Sequence, residues 1–331
     1  MKIAFINPYY VIAPKGGIKV QAEMWKEGLE KLGHDITLIN WWTVDKWNIY
    51  DAIIIFGYCP GFRNLVKDLS KENANIIIAP IIDPHVPDYI FKFFCKYWGA
   101  QKHLGLSSRF HDLWLARKYA KLWFVRSEEE IHYTRYCLEI PCEKIIKIPL
   151  HYRIPSLLDF PKKENFCFHA SRLSSPNKNV PRLIEAAKKY NFQLKLAGHL
   201  MGESEMQWLN GLIGDATNIE YVGEVSEEEL CNLYRRAKVF TLPSLQEGVG
   251  MVALEAAAYG CEIVLTNYGA PKEYYDGKAL LVNPKSVDEI GQGIVKAMND
   301  GYSQPGLKQY MEDNYSEKVC CKKIIEAIQL I

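Results

Sequence analysis

The chain has no Asp-x-Asp anywhere, no Cys-x-x-Cys, and no Gly-x-Gly-x-x-Gly at the start of its first helical stretch. These absences remove a carboxylate pair for a divalent metal, a paired-thiol site for zinc or redox work, and the fingerprint of a dinucleotide dehydrogenase. An excess of charge of one sign is missing too. Against 40 Lys and Arg stand 39 Asp and Glu, a net charge of +1, which gives no compositional case for nucleic acid as a partner. No apolar run approaches the length of a membrane span, and the opening MKIAFIN reads as a buried strand rather than a basic, apolar and small-residue leader. The expectation is a cytoplasmic protein. Its nine cysteines, an odd number without metal spacing, are expected to be buried, reduced thiols.

What is present is alternation. Short apolar runs take turns with amphipathic stretches, the pattern of parallel sheets with crossover helices. Strands are expected at 2–7, 35–39, 52–56, 75–82, 122–126 and 145–149, and again at 166–170, 193–197, 219–222, 238–242, 262–265 and 279–282. Between the two sets, PLHYRIPSLLDFPKKEN is broken by Pro149, Pro155 and Pro161, has no clear period and ends in polar residues, so it reads as the linker. A length of 331 residues suits two domains, each able to bury its own core. Two doubly wound α/β domains would place a ligand at the carboxyl ends of their strands.

The densest chemistry lies in PSLQEGVGMVALEAAAYGCEIVLT, which sets Glu247 and Glu255 at either end of a glycine-containing loop and helix start. Gly248 and Gly250 sit where a strand hands over to a helix. Unpaired backbone N–H groups and the positive end of the helix dipole make such a junction an anion site, and glycine lets a phosphate approach the main chain. The carboxylates suit hydroxyl groups on either side of a diphosphate. A nucleotide-sugar offers ribose hydroxyls on one side and sugar hydroxyls on the other.

These residues resemble the retaining nucleotide-sugar glycosyltransferases of the GT-B fold, most closely glycosyltransferase family 4. FHASRLSSPNKNVPRLIEAAKKY is similar to that family's strand, arginine-containing loop and lysine-bearing helix start, and FQLKLAGH to the next strand. NIEYVGEVSEEELCNLYRRAKVFTLPS matches the approach to the glutamate motif, and NPYYVIAPKGGIKVQAEMWKEGLEKLGHDITLI resembles the opening strand, double-glycine loop and helix. The resemblance implies two Rossmann-like domains facing across a cleft. Residues 1–150 would bind the acceptor, with a C-terminal helix at 315–331 crossing back onto them, and residues 151–314 would bind the nucleotide-sugar. It also implies that no metal or other cofactor is needed, Arg172 and Lys178 meeting the charge that grows on the departing diphosphate. Glu247 would orient the transferred sugar, His85 would contact it, and Glu255 would hold the ribose. Gly16, Gly17, Gly248, Val249, Gly250, Met251 and Val225 complete the implied substrate contacts.

Two features depart from the family. The arginine-to-lysine spacing is a residue longer than usual, and Asp83, Pro84, His85 reverses the more common histidine-then-aspartate order. On the residues alone other readings stand beside these: a solvated surface turn for RLSSPNKN, a structural loop histidine at His85, and a covalent nucleophile at Glu247, as carboxylates are in retaining glycosidases.

Residues 89–126 carry Lys92, Lys96, Lys102, Arg109, Arg117, Lys118, Lys121 and Arg126 against the single acid Asp112, with aromatics throughout. Such a region can dock on anionic membrane lipid at the inner face or hold a lipid-linked acceptor. Inward-packed aromatics with solvated lysines explain it equally simply. The function expected is metal-independent, retaining transfer of a sugar from a nucleotide-sugar to a glycan or lipid-linked acceptor, in cell-surface polysaccharide biosynthesis. A nucleotide-sugar epimerase and a non-catalytic carbohydrate- or nucleotide-binding protein are the alternatives on the same fold.

Overall fold

The computed structural model describes the chain apart from residues 9–16, 41–45, 83–85, 100–107, 156, 158 and 276. Gly16, Asp83 and His85 therefore lie outside the described residues. The chain forms two units, Met1–Leu150 with Glu317–Ile331, and His151–Ser316.

In the first unit β1 (Lys2–Ile6), β2 (Asp35–Leu38), β3 (Ala52–Phe56), β4 (Ile76–Ala79), β5 (Leu122–Val125) and β6 (Ile145–Lys147) form a parallel sheet in the order β2-β1-β3-β4-β5-β6. Its helices are α1 (Gly17–Lys31), α2 (Phe62–Glu72), α3 (Asp88–Lys96), α4 (Arg109–Ala116) and α5 (Glu128–Tyr136). AIIIF in β3 and IIIA in β4 are buried at every position, as strands covered on both faces must be.

The second unit repeats the plan with β7 (Glu164–Ala170), β8 (Leu194–Ala197), β9 (Ile219–Gly223), β10 (Ala237–Leu242), β11 (Glu262–Thr266) and β12 (Leu280–Val282), all parallel in the order β12-β11-β10-β7-β8-β9. Its helices are α6 (Val180–Tyr190), α7 (Gly202–Ile213), α8 (Glu227–Arg236), α9 (Met251–Ala258), α10 (Val287–Asp300) and α11 (Gly306–Tyr315). All twelve strands fall where the sequence places them. Most are short β-branched or aromatic runs, β8 (LKLA) being an exception.

The last helix, α12 (Glu317–Ile328), lies against α1. Gly28 permits the approach, since a Cβ there would collide with Cys321 Sγ, and Lys31 Nζ meets Glu317 at 2.8 Å. Tyr315 stays with the second unit: its carbonyl accepts from Tyr152 N at 3.3 Å and its ring lies 4.9 Å from that of Tyr274. The proline-broken segment belongs to the second unit from His151 onward. His151 and Tyr152 are buried, and Lys163 Nζ donates to Tyr234 O at 2.9 Å and Tyr259 O at 2.6 Å, so one cation serves the carboxyl ends of both α8 and α9.

Six cysteines are buried, and burial pushes the thiols of Cys320 and Cys321 up to about 12. Cys142 departs from the expectation. It sits exposed at the start of a short surface turn, Cys142–Lys144, and Cys59 and Cys231 are half-buried.

Candidate active site

The strand order of the second unit reverses between β7 and β10, so the loops leaving those two strands run apart and open a crevice at their carboxyl ends. Both loops carry the residues of interest. After β7 the chain passes through Ser171–Ser175 bends into the turn Pro176–Lys178 and then Asn179, whose φ of 60° is the left-handed conformation that asparagine tolerates. Asn179 is buried, and its Nδ2 donates to Pro243 O at 2.9 Å and Pro284 O at 2.6 Å. One amide thus fastens the loop after β7 to those after β10 and β12. Leu245 N adds a bond to Asn177 O at 2.8 Å.

Held in this way, Lys178 faces Glu247. Lys178 Nζ lies 2.6 Å from Glu247 Oε2, and Ser244 Oγ donates to the same oxygen at 3.0 Å. The pair is largely shielded, at 24% and 14% side-chain exposure, which strengthens any field it exerts. Immediately beyond, Gly250 takes φ 72° at the head of α9, where a Cβ would stand 3.3 Å from Leu242 Cδ2 and 3.5 Å from Glu247 Cγ. No side chain caps this helix. Gly248, Val249, Gly250 and Met251 therefore present main chain and the positive dipole end beside Glu247, an arrangement made for an anion.

Glu255 lies within α9. It is 0% exposed, and the protein itself supplies partners: Arg153 Nε donates to Oε1 at 2.5 Å and the Tyr234 hydroxyl to Oε2 at 3.2 Å. Burial pulls the Arg153 guanidinium down, but the charge and hydrogen bond of Glu255 more than offset this and leave it raised. Burial, with the Glu255 charge behind it, pushes the Tyr234 phenol well above its ordinary value. Arg172 is exposed and stands apart from the Lys178–Glu247 pair, its Nη2 turned to Met201 Sδ at 3.2 Å. Val225 lies half-buried just before α8, and Gly17 is already the first residue of α1.

Arg153, Ser244, Asn179 and His169 were not legible as site residues. His169 ends in a buried pocket of β7, its Nδ1 2.9 Å from Thr241 O and its Nε2 2.7 Å from Ser171 Oγ. A carbonyl only accepts, so Nδ1 carries the proton and Nε2 accepts from the serine. Burial lowers the imidazole to about 4, with Lys178 adding to the effect. The unfolded chain binds this proton below about pH 6.5 while the folded chain refuses it, so the contribution is complete above that pH and is lost as pH falls toward 4. The expected loss is about 2 kcal/mol between pH 7 and pH 5. Urea unfolding at the two values measures it, and His169→Gln should flatten the difference.

The fold is the GT-B α/β fold. HepE of Anabaena, solved with UDP and glucose, shares it with a TM-score of 0.71 at 14% identity, covering 100% of both chains. Residues 154–317 match the family model of the glycosyl transferases group 1. Among curated proteins, O-antigen chain mannosyltransferase B of Escherichia coli is 29% identical over 170 residues, 47% of this chain and 44% of its own. The MMP alpha-(1->4)-mannosyltransferase of Mycolicibacterium hassiacum is 34% identical over 122 residues, 35% and 30% of the two chains. In both, the match spans less than half of the relative's length.

Proposed function

We propose that the protein is a retaining, metal-independent glycosyltransferase that moves a hexose from a nucleotide-sugar to a glycan or glycolipid acceptor in the assembly of a cell-surface polysaccharide. The observation that carries this reading is the Lys178–Glu247 pair at 2.6 Å beside the uncapped head of α9. A sugar diphosphate needs both signs of partner at once, cations and N–H groups for the phosphates and a carboxylate for a sugar hydroxyl. The relatives' names support a mannosyl donor.

In the reaction, the bond from the anomeric carbon to the phosphate oxygen breaks and a bond to the acceptor oxygen forms on the same face. The acceptor proton passes to the departing phosphate oxygen, so no separate base is required. Lys178 and the N–H groups of 248–251 stabilise the charge on the leaving group, and Arg172 swings from Met201 to join them when the donor is bound. Glu247 fixes a sugar hydroxyl so that the anomeric carbon is held in line. Glu255, kept in place by Arg153 and Tyr234, takes the ribose.

The test is product analysis by NMR with a panel of nucleotide-sugars. Retention of the donor's anomeric configuration, turnover unchanged by chelator, and a loss of about 100-fold in Arg172→Ala are expected. Inversion, or activity that disappears with chelator and returns with magnesium, overturns the respective part of the proposal.

A further inference from the structure

The basic, aromatic stretch around α3 sorts into two sets of side chains. Phe91 and Cys95 on α3, Leu113 on α4, and Trp123 and Phe124 on β5 are buried, and inward packing explains them fully. Tyr89, Phe93 and Tyr97 do not fit that explanation. They recur at four-residue spacing on the other face of the helix and are 64%, 51% and 56% exposed. With Val86, Trp98 and Tyr136 they account for six of the sixteen large hydrophobic side chains exposed among the described residues. Single exposed hydrophobics are ordinary, but a contiguous group marks a surface that meets something. The rings already touch one another: Phe93 and Tyr97 lie 5.8 Å apart between centroids, and Phe94 and Trp98 also 5.8 Å.

Beside this stripe a recess of about 570 Å³ opens between α3 and α5, lined in part by Lys92, His132, Arg135, Tyr136 and Glu139. Lys92 Nζ stands 3.9 Å above the Tyr136 ring, and His132 stacks on that ring at 5.5 Å. Two acids on this face are already engaged, Asp88 with His132 at 2.9 Å and Glu139 with Lys96 at 2.9 Å. Lys92 and Arg135 have no carboxylate partner among the described residues. Arg117 adds a further cation on the same side, lying 3.5 Å over Trp114 and lowering the Glu139 carboxyl together with Lys96.

We propose that this face docks on an anionic lipid bilayer. Tyr89, Phe93, Tyr97 and Trp98 enter the headgroup layer, where amphipathic rings settle, and Lys92 and Arg135 take lipid phosphate at the recess. Aromatic insertion and free cations on one patch are complementary to a surface that is apolar below and negative above. A protein partner or a second copy would have to supply the negative charge itself. Among the described residues no helix is long and apolar enough to cross a membrane, so the contact is peripheral. The inference is independent of the reaction proposed above.

The experiment is co-sedimentation of the full chain with phosphatidylcholine vesicles, with and without phosphatidylglycerol, at low and high salt. Binding is expected only with the anionic lipid, weakening as salt rises. Phe93→Ser with Tyr97→Ser should abolish it, and Lys92→Gln with Arg135→Gln should weaken it about thirtyfold, two surface cations being lost. Because all four side chains are on the surface, circular dichroism should show each variant folded. No binding of the wild type to anionic vesicles overturns the proposal. So does binding that ignores both double variants, or sedimentation velocity showing that the aromatic variant dissolves a dimer, since the patch would then belong to a second copy. None of these outcomes bears on whether the second unit turns over a nucleotide-sugar.

Discussion

Alanine at Lys178 is expected to lower kcat by about 100- to 1,000-fold, the range seen when one preorganised donor to a developing negative charge is removed. Two effects combine. The diphosphate loses its nearest cation, and Glu247, which shares 2.6 Å with that cation in a shielded position, is left as an uncompensated negative charge beside an incoming anion. The double variant with Glu247→Gln separates them. If Lys178 acts mainly on the leaving group, removing the carboxylate restores little; if its task is only to neutralise Glu247, most of the lost turnover returns. Recovery to within a few-fold of Glu247→Gln alone would overturn the catalytic assignment of Lys178.

The second large effect divides the two glutamates. Glu255→Gln should raise the dissociation constant for a bare nucleoside diphosphate and the donor KM together, because ribose does not react and its contact is made equally in ground and transition states. Arg153→Met should act through Glu255: a carboxylate at 0% exposure that loses its guanidinium partner is left as an unpaired buried charge, so nucleotide affinity should fall. Arg153→Lys should restore part of it. Glu247→Gln should leave nucleotide affinity nearly intact while lowering kcat. Calorimetry with the nucleotide, beside steady-state kinetics, decides the matter. Equal losses of affinity at Glu247 and Glu255 would show that the sugar and ribose roles are wrongly divided.

The strands were readable because a parallel strand buried on both faces is an uninterrupted apolar run, as AIIIF and IIIA show, and no tertiary information is needed to see it. Glu247 stands out at a glycine-containing loop and helix start, whereas Lys178 is legible only through the resemblance to the family, its loop reading on the residues alone as a solvated surface turn. Arg153 was not legible, since nothing near it in sequence is periodic or motif-like and its partner lies 102 residues away. His169 was hidden within a strand, where a polar residue carries no local sign that Ser171 and Thr241 will satisfy it. Asn179 offered a faint signal as an asparagine just ahead of a helix, but its left-handed φ and its double clamp on Pro243 and Pro284 depend on loops far along the chain. The region 89–126 was ambiguous because YIFKFFCKYW is aromatic all round. Only the helix phase, with Phe91 and Cys95 inward, separates its two faces.

The placement of α12 bears on the order in which the protein can be made. Residues 1–150 leave the ribosome first, yet α1 stays uncovered along Gly28 and Lys31 until Cys321 and Glu317 arrive. At roughly 5–20 residues per second, the intervening 151–316 occupies the ribosome for about ten to thirty seconds. During that interval the nascent first unit shows an unsealed helix face to the cell while the second unit, continuous in sequence, is free to complete itself.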